Sequence, residues 1–457
     1  MSNVRISGLI GIIGLLVVAM ATTIGFGYGY QLAPTLRELG FTLWSTVMLA
    51  GMVCLTVAST RLQEASTFRF KENCISNSAC ILLCGVICID LYLLMTTLTA
   101  LVLAGILYSI TFSILFFWRK PAVAFQTSLG ALIALMTYYV YKMSLSPHDP
   151  GMDVLPITKA AIHYAELYAD PYQANYSMVS SNPFFYLPLQ WLVYLPFEIF
   201  DINLMWVNFF SWILIIVLFE RIRFGTTDHW LVRIMFYPVI AAFPVFQAMD
   251  GNVLPMWLGI ACFMAALLRD RFELAAVILG CLLATNHLIL AIAVLAGAFF
   301  FRALPLRRFA LCAGLAIFTS FLIFLPFILF SPDFLGTVFF VRPQIANASW
   351  EVHRNAFNSV SLNNLLYNFN LKPLRLFLQF SVLLAGCVTL LMRPPAKTAA
   401  FLYIAGVVFL YAVALNGQVL RYYYYPPLLM IAWGGALSFR LQPCRFTPKK
   451  ERDVPVR

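Results

Sequence analysis

Apolar runs of near-constant length, separated by short polar gaps, repeat along the whole chain. Five come before residue 145, at 7–30, 41–59, 78–96, 99–118 and 121–144. A helix needs roughly 20 apolar residues to cross the hydrocarbon of a bilayer, and it satisfies its own backbone hydrogen bonds there. Each run therefore predicts one crossing. A polar segment at 145–182 interrupts the series. Beyond it the pattern predicts an apolar stretch at 183–199 and crossings near 202–220, 231–248 and 252–268. Residues 274–301 read as two short helices joined at Thr285-Asn286-His287. A long helix at 307–331, a second polar loop at 332–366 and crossings near 374–392, 398–415 and 423–440 complete the plan. The expected fold class is all-α, a polytopic transmembrane bundle of roughly 11–14 crossings with two large loops.

Composition sharpens this. Hydrophobic residues make up 62% of the 457 and charged residues 11%, against about 25% charged in soluble domains. That excludes a surface built to face water. The net charge of +11 does not mark a nucleic-acid partner, because the basic residues stand singly or in pairs at the ends of apolar runs. Arg5, the Arg61/Arg69/Lys71 loop, Arg119-Lys120, Arg221/Arg223, Arg269/Arg271, Arg302/Arg307/Arg308, Arg393/Lys397 and the tail from Arg445 fall on one side. The positive-inside rule makes that side cytoplasmic, with both termini. The loops 145–182 and 332–366, Asp250-Gly251-Asn252 and Asn416-Gly417-Gln418 then face outward. Parity holds only if 183–199 is interfacial or re-entrant, which Pro183 and Pro188 permit. The first run is too long for a signal-peptide core, and a bacterial inner membrane is the expected location. Ten cysteines form no CxxC pair. Cys80, Cys84 and Cys88 share one helix face and read as soft packing residues.

The acids concentrate in the first outer loop. It reads His148-Asp149-Pro150-Gly151-Met152-Asp153, runs through Lys159-Ala160-Ala161 and Asp170-Pro171-Tyr172, and ends Tyr186-Leu187-Pro188-Leu189. Later come Asp250-Gly251-Asn252, Ala275-Ala276 to Gly280, and Asn358-Ser359-Val360-Ser361-Leu362-Asn363-Asn364-Leu365-Leu366. In that order these segments resemble the GT-C glycosyltransferases, in particular the polyprenol-phosphate-mannose-dependent mannosyltransferase family, over about residues 140–440. The family often has a Lys in its broken helix where this chain has Asn286-His287. It also has no counterpart to four of the leading crossings. The resemblance implies N-terminal extra helices at 1–120, a catalytic membrane core at 121–440 and a basic tail at 441–457.

The implied activity is inverting transfer of a sugar, mannose or similar, from a polyprenyl-phosphate donor to a lipid-linked or cell-envelope glycan. One carboxylate must take the proton from the attacking hydroxyl, and cations or donors must hold the departing phosphate. Single displacement needs one base, not the carboxylate pair of retaining hydrolases. Asp153 fits the base, with Asp149 as the fallback, while Glu166 and Asp170 read as loop or capping acids. His353 and Arg354, with Arg342, His287 and Arg421, are the candidates for the phosphate. The resemblance adds Tyr172, Tyr186 and Asn252 as substrate contacts, and Asn286, where the chain departs from the family, is a further candidate. His287 could equally be a satisfied structural histidine bonded to Asn286 or a carbonyl. No nucleotide-binding glycine loop or Asp-x-Asp metal motif is evident, so no cofactor is expected and a divalent metal is not indicated. The expected partners are the lipid donor, the glycan or glycolipid acceptor and membrane lipids. The alternative is a transporter or flippase for a lipid-linked glycan, whose folds place broken helices near the bilayer centre. Asp90, inside an apolar helix, has no partner that the sequence names.

Overall fold

A computed structural model describes residues 2–29, 34–60, 67–68, 72–95, 98–145, 154–167, 169–173, 184, 186–221, 229–241, 248–249, 251–341, 360–371, 373–393, 395, 397–416, 421–438 and 440–441. The five leading runs form helices α1 (Ser2–Gly29), α2 (Pro34–Thr60), α3 (Glu72–Met95), α4 (Leu98–Phe116) and α5 (Pro121–Leu145). After α5 come α6 (Val154–Glu166), the one-turn pair α7 (Pro188–Leu192) and α8 (Leu195–Ile199), α9 (Leu204–Arg221) and α10 (His229–Ile240). Next are α11 (Leu254–Leu268), α12 (Phe272–Leu283), α13 (Ile289–Ala303) and α14 (Leu306–Phe330). The last four are α15 (Leu362–Asn368), α16 (Leu374–Met392), α17 (Thr398–Ala414) and α18 (Tyr425–Ser438). Two-residue strands β1 (Thr67–Phe68) and β2 (Arg440–Leu441) pair in parallel, so the segment after α2 lies beside the end of α18.

Among the described residues, five helical stretches are long and apolar enough to cross a membrane, over Gly40–Ser59, Pro121–Leu145, Leu204–Arg221, Leu306–Phe330 and Leu374–Met392. Shorter apolar helices fill the space between them. The exposed residues match a lipid surroundings: Ile317, Phe318, Phe377 and Phe380 on α14 and α16 all face outward from the protein. α17 is the reverse, with nearly every residue buried. This is a helical, membrane-embedded chain with α17 and α18 at its centre.

Two stretches expected as loop are partly helical. α6 lies within 145–182, because Leu155, Thr158, Ala161 and Ile162 recur at helical spacing and are buried. Pro156 is tolerated there since it stands in the first turn. α15 lies at the end of 332–366. Ser361 caps it, its Oγ accepting from the Asn364 amide at 3.1 Å.

Lipid is as apolar as a leucine side chain, so burial alone does not drive these helices together. Close approach and polar ties do. A Cβ on Gly51 of α2 would lie 2.8 Å from Val18 of α1, and one on Gly280 of α12 would lie 2.8 Å from Thr319 Cβ of α14. The polar ties separate into two ends. At the basic end Arg233 meets Glu220, and Arg308 holds Glu273 with two bonds at 2.6 and 3.0 Å. At the other end asparagine, serine and threonine side chains cross-link the loops. There the Ser361 amide donates to Ser45 Oγ at 3.0 Å, and Asn363 donates to the Asn416 carbonyl.

Candidate functional site

Segments from four parts of the chain meet at this amide-rich end. Thr158 of α6 donates its hydroxyl to the Val154 carbonyl at 2.7 Å. That uses its one proton, so towards Asn252 the oxygen can only accept, in a long contact of 3.5 Å from Asn252 Nδ2. Asn252 must then turn Oδ1 towards Gln190, whose Nε2 donates at 2.8 Å. The relay thus runs in one sense, from Gln190 through Asn252 and Thr158 to a helix carbonyl. Gln190 Oε1 is left buried, with no partner among the described residues.

The broken helix joins the same patch. The Leu189 amide, at the start of α7, donates to the Ala284 carbonyl at 2.9 Å. Two residues on, Asn286 accepts from the Leu288 amide at 3.0 Å through Oδ1, which starts α13. Its Nδ2 is buried and has no partner among the described residues. Gln190 and Asn286 are only 4% and 2% exposed, so neither orphan atom is served by open solvent.

A scaffold fixes these parts. Asn208 of α9 donates from Nδ2 to the Met249 and Gly251 carbonyls at 2.7 and 2.6 Å, and accepts the Tyr194 hydroxyl at 2.6 Å. It therefore sets the turn that presents Asn252. Tyr172 donates to the Tyr186 carbonyl at 2.8 Å and accepts from Trp191 Nε1 at 3.3 Å. Phe184, Phe327 and Phe334 pack around its ring. Asp170 Oδ1 accepts from the Tyr172 amide at 2.9 Å, a turn-forming acid of the kind expected. Beside Thr158, Leu155 and Lys159 line a pocket of about 150 Å³ bounded also by Glu198, Asp201 and Asn203, with Lys159 paired to Glu198 at 2.9 Å.

Of the residues singled out from sequence, Asn252 bonds to Gln190, Asn286 is buried two residues after the carbonyl that holds Leu189, and Tyr172 bonds to the Tyr186 carbonyl beside Trp191. His287 is half-buried, its ring edge-on to Phe339 at 5.6 Å. The chain at Arg421 opens a one-turn 3-10 helix, and its side chain lies outside the described residues. So do Asp149, Asp153, Arg342, His353 and Arg354. Asp90 of α3 is fully buried and neither carboxyl oxygen has a partner among the described residues. Thr158, Gln190 and Asn208 were not anticipated. For Gln190 and Asn208 the signal was a lone polar residue inside an apolar run, which in a membrane costs enough to be kept only for a partner or a purpose; Thr158, in a polar segment, gave none.

No known protein-family model matches the chain, and neither does any curated protein or solved structure.

Proposed function

We propose that the chain is an inverting glycosyltransferase of the GT-C type, moving a sugar from a polyprenyl-phosphate donor to a lipid-linked or cell-envelope glycan at the outer face of the membrane. The observation that carries this is the hydrogen-bonded convergence of α6, the Leu187–Gln190 entry, the Gly251-Asn252 turn and the break between α12 and α13. The first three of these segments carry parts of the resemblance to that family, all four lie apart in sequence, and two of the amide groups they bury have no partner among the described residues.

In this reading Asp153, the residue before α6, is the general base. It takes the proton of the acceptor hydroxyl as that oxygen forms its bond to the anomeric carbon. The bond from that carbon to the phosphate oxygen breaks, and polyprenyl phosphate leaves with the electron pair. His353 and Arg354, aided by Arg342, His287 and Arg421, stabilise the charge that develops on it. Asp149 is the substitute base. No metal is assigned a role.

The test is transfer from radiolabelled polyprenyl-phosphate mannose in membranes holding wild type, Asp153→Ala or Asp153→Asn at equal expression. Product from wild type and none from either variant supports the reading. Equal product from all three removes Asp153 from the chemistry. Movement of a lipid-linked glycan across vesicles without new glycosidic bonds would instead identify the flippase.

A further inference from the structure

Two turns of the basic end lie side by side, Arg269-Asp270-Arg271 between α11 and α12 and the turn from α13 into α14 that carries Arg302 and Arg307. Arg308 joins them. Its Nε and Nη2 hold Glu273, in the first turn of α12, at 2.6 and 3.0 Å, and its guanidinium lies 5.5 Å from the centre of the Phe272 ring. Phe272 meets Phe300, two residues before Arg302, edge-on at 5.6 Å. Five arginines thus share one surface with two acids, Asp270 and Glu273. Glu273 is taken by Arg308. Arg269, Arg271, Arg302 and Arg307 are exposed and form no ion pair among the described residues, and Asp270 can offset only one of them. Positive-inside counting puts 61–66, 69–71, 222–228 and 442–457, which lie outside the described residues, on this same side. They are themselves net basic and bring no surplus of anions.

α14 runs on from this surface with a single buried residue, Cys312. At helical spacing Arg307 heads a stripe of Leu311, Gly314, Phe318 and Leu322, all exposed. No atom stands within 4 Å of where a side chain at Gly314 would begin, so the stripe is notched between Leu311 and Phe318. A guanidinium takes a phosphate through two parallel N–H bonds. A free phosphate or a nucleic acid would use the arginines and leave the apolar stripe bare, whereas a phospholipid uses both.

We propose that this surface binds an anionic phospholipid, with its phosphates on Arg269, Arg271, Arg302 and Arg307 and an acyl chain along the notched face of α14. Four such cations against one acid favour a headgroup with two phosphates, as in cardiolipin, over a headgroup with one. The site takes no part in sugar transfer, which is proposed for the opposite face.

The experiment reconstitutes the full-length protein in phosphatidylcholine bilayers and measures, by electron spin resonance, the fraction of spin-labelled cardiolipin, phosphatidylglycerol or phosphatidylcholine immobilised on it. An arginine at a membrane surface is worth about fivefold in affinity for anionic lipid. Wild type is expected to prefer cardiolipin over phosphatidylcholine by at least about 25-fold, the worth of two arginines, with phosphatidylglycerol between. Arg269→Gln/Arg271→Gln and Arg302→Gln/Arg307→Gln should each lower that preference about fivefold or more. Arg119→Gln/Lys120→Gln removes as much charge from another exposed turn at the basic end and should leave it unchanged. Equal retention of phosphatidylcholine by all four proteins shows that each is folded. Absence of the preference in wild type, its survival in either arginine variant, or an equal loss in the Arg119/Lys120 variant each overturns the site. A stronger preference for spin-labelled polyprenyl phosphate than for cardiolipin overturns the phospholipid as its occupant.

Discussion

Asn208 holds the Gly251 carbonyl at 2.6 Å from a different helix, and so decides where Asn252 points. The same amide grips Met249 and accepts from Tyr194. Asn208→Leu keeps the volume but strands two carbonyls and a phenol, each buried. It should lower stability by about 2–3 kcal/mol, read as the unfolding midpoint of the detergent-solubilised protein. Tyr194→Phe removes one bond only and should cost less. Equal midpoints for wild type and Asn208→Leu would show that the turn is held by other means.

The relay gives a second expectation. Thr158→Val removes the oxygen that Asn252 Nδ2 meets, whereas Thr158→Ser retains it. The valine variant should lose about 1–3 kcal/mol of stability. The serine variant should keep it. Matching behaviour of the two would mean that the 3.5 Å contact carries no weight.

Two glycines separate close packing from helix propensity. A Cβ at Gly280 would lie 2.5 Å from the Ala316 carbonyl of α14, while at Gly297 of α13 nothing stands within 4 Å. Gly280→Ala must push two backbones apart and should cost about 1–3 kcal/mol. Gly297→Ala should be neutral or gain about 0.5–1 kcal/mol from reduced freedom of the unfolded chain. Thermal unfolding of the two variants side by side checks this, and a reversed order would refute the packing.

At the basic end, pH should act through Glu273. The Arg308 guanidinium bonded to it lowers its pKa from the usual 4.5 to about 2. A carboxylate depressed in this way adds stability above pH 4.5, and the contribution fades as pH falls from there towards 2. Both side chains are partly exposed, so solvent screens the pair and the effect is small. Glu273→Gln should unfold slightly earlier than wild type at pH 7 and level with it near pH 2. A constant difference across that range would detach the effect from ionisation.

Much of the bundle was legible, because a crossing is written locally. The run 374–392 is α16 to the residue, and the break at Thr285-Asn286-His287 separates α12 from α13. Within the apolar stretch at 183–199, Pro188–Leu192 and Leu195–Ile199 form two short helical pieces. α6 was hidden because its buried face uses Thr158 and Ala161 beside Leu155 and Ile162, a weak contrast in a polar segment. The relay could not be read at all. Gln190 and Asn252 stand 62 residues apart, and no local rule states that two lone amides in separate apolar runs will find each other. Asp90, for which the sequence names no partner, is buried with none among the described residues.

The tie between Ser45 and Ser361 spans 316 residues, and Thr42 and Leu55 likewise bond to α15 and α17. The first hairpin is therefore completed by some of the last helices to be made. At a synthesis rate of 5–20 residues per second, α1 and α2 wait on the order of 15–60 s in the bilayer before those partners emerge. Through that interval Ser45 Oγ and the Leu55 carbonyl lack their final donors, and the Thr42 hydroxyl lacks its final acceptor. Quality control of this chain is accordingly a matter of timing: a polypeptide halted before α15 presents a finished-looking hairpin whose polar edge has nothing to close on.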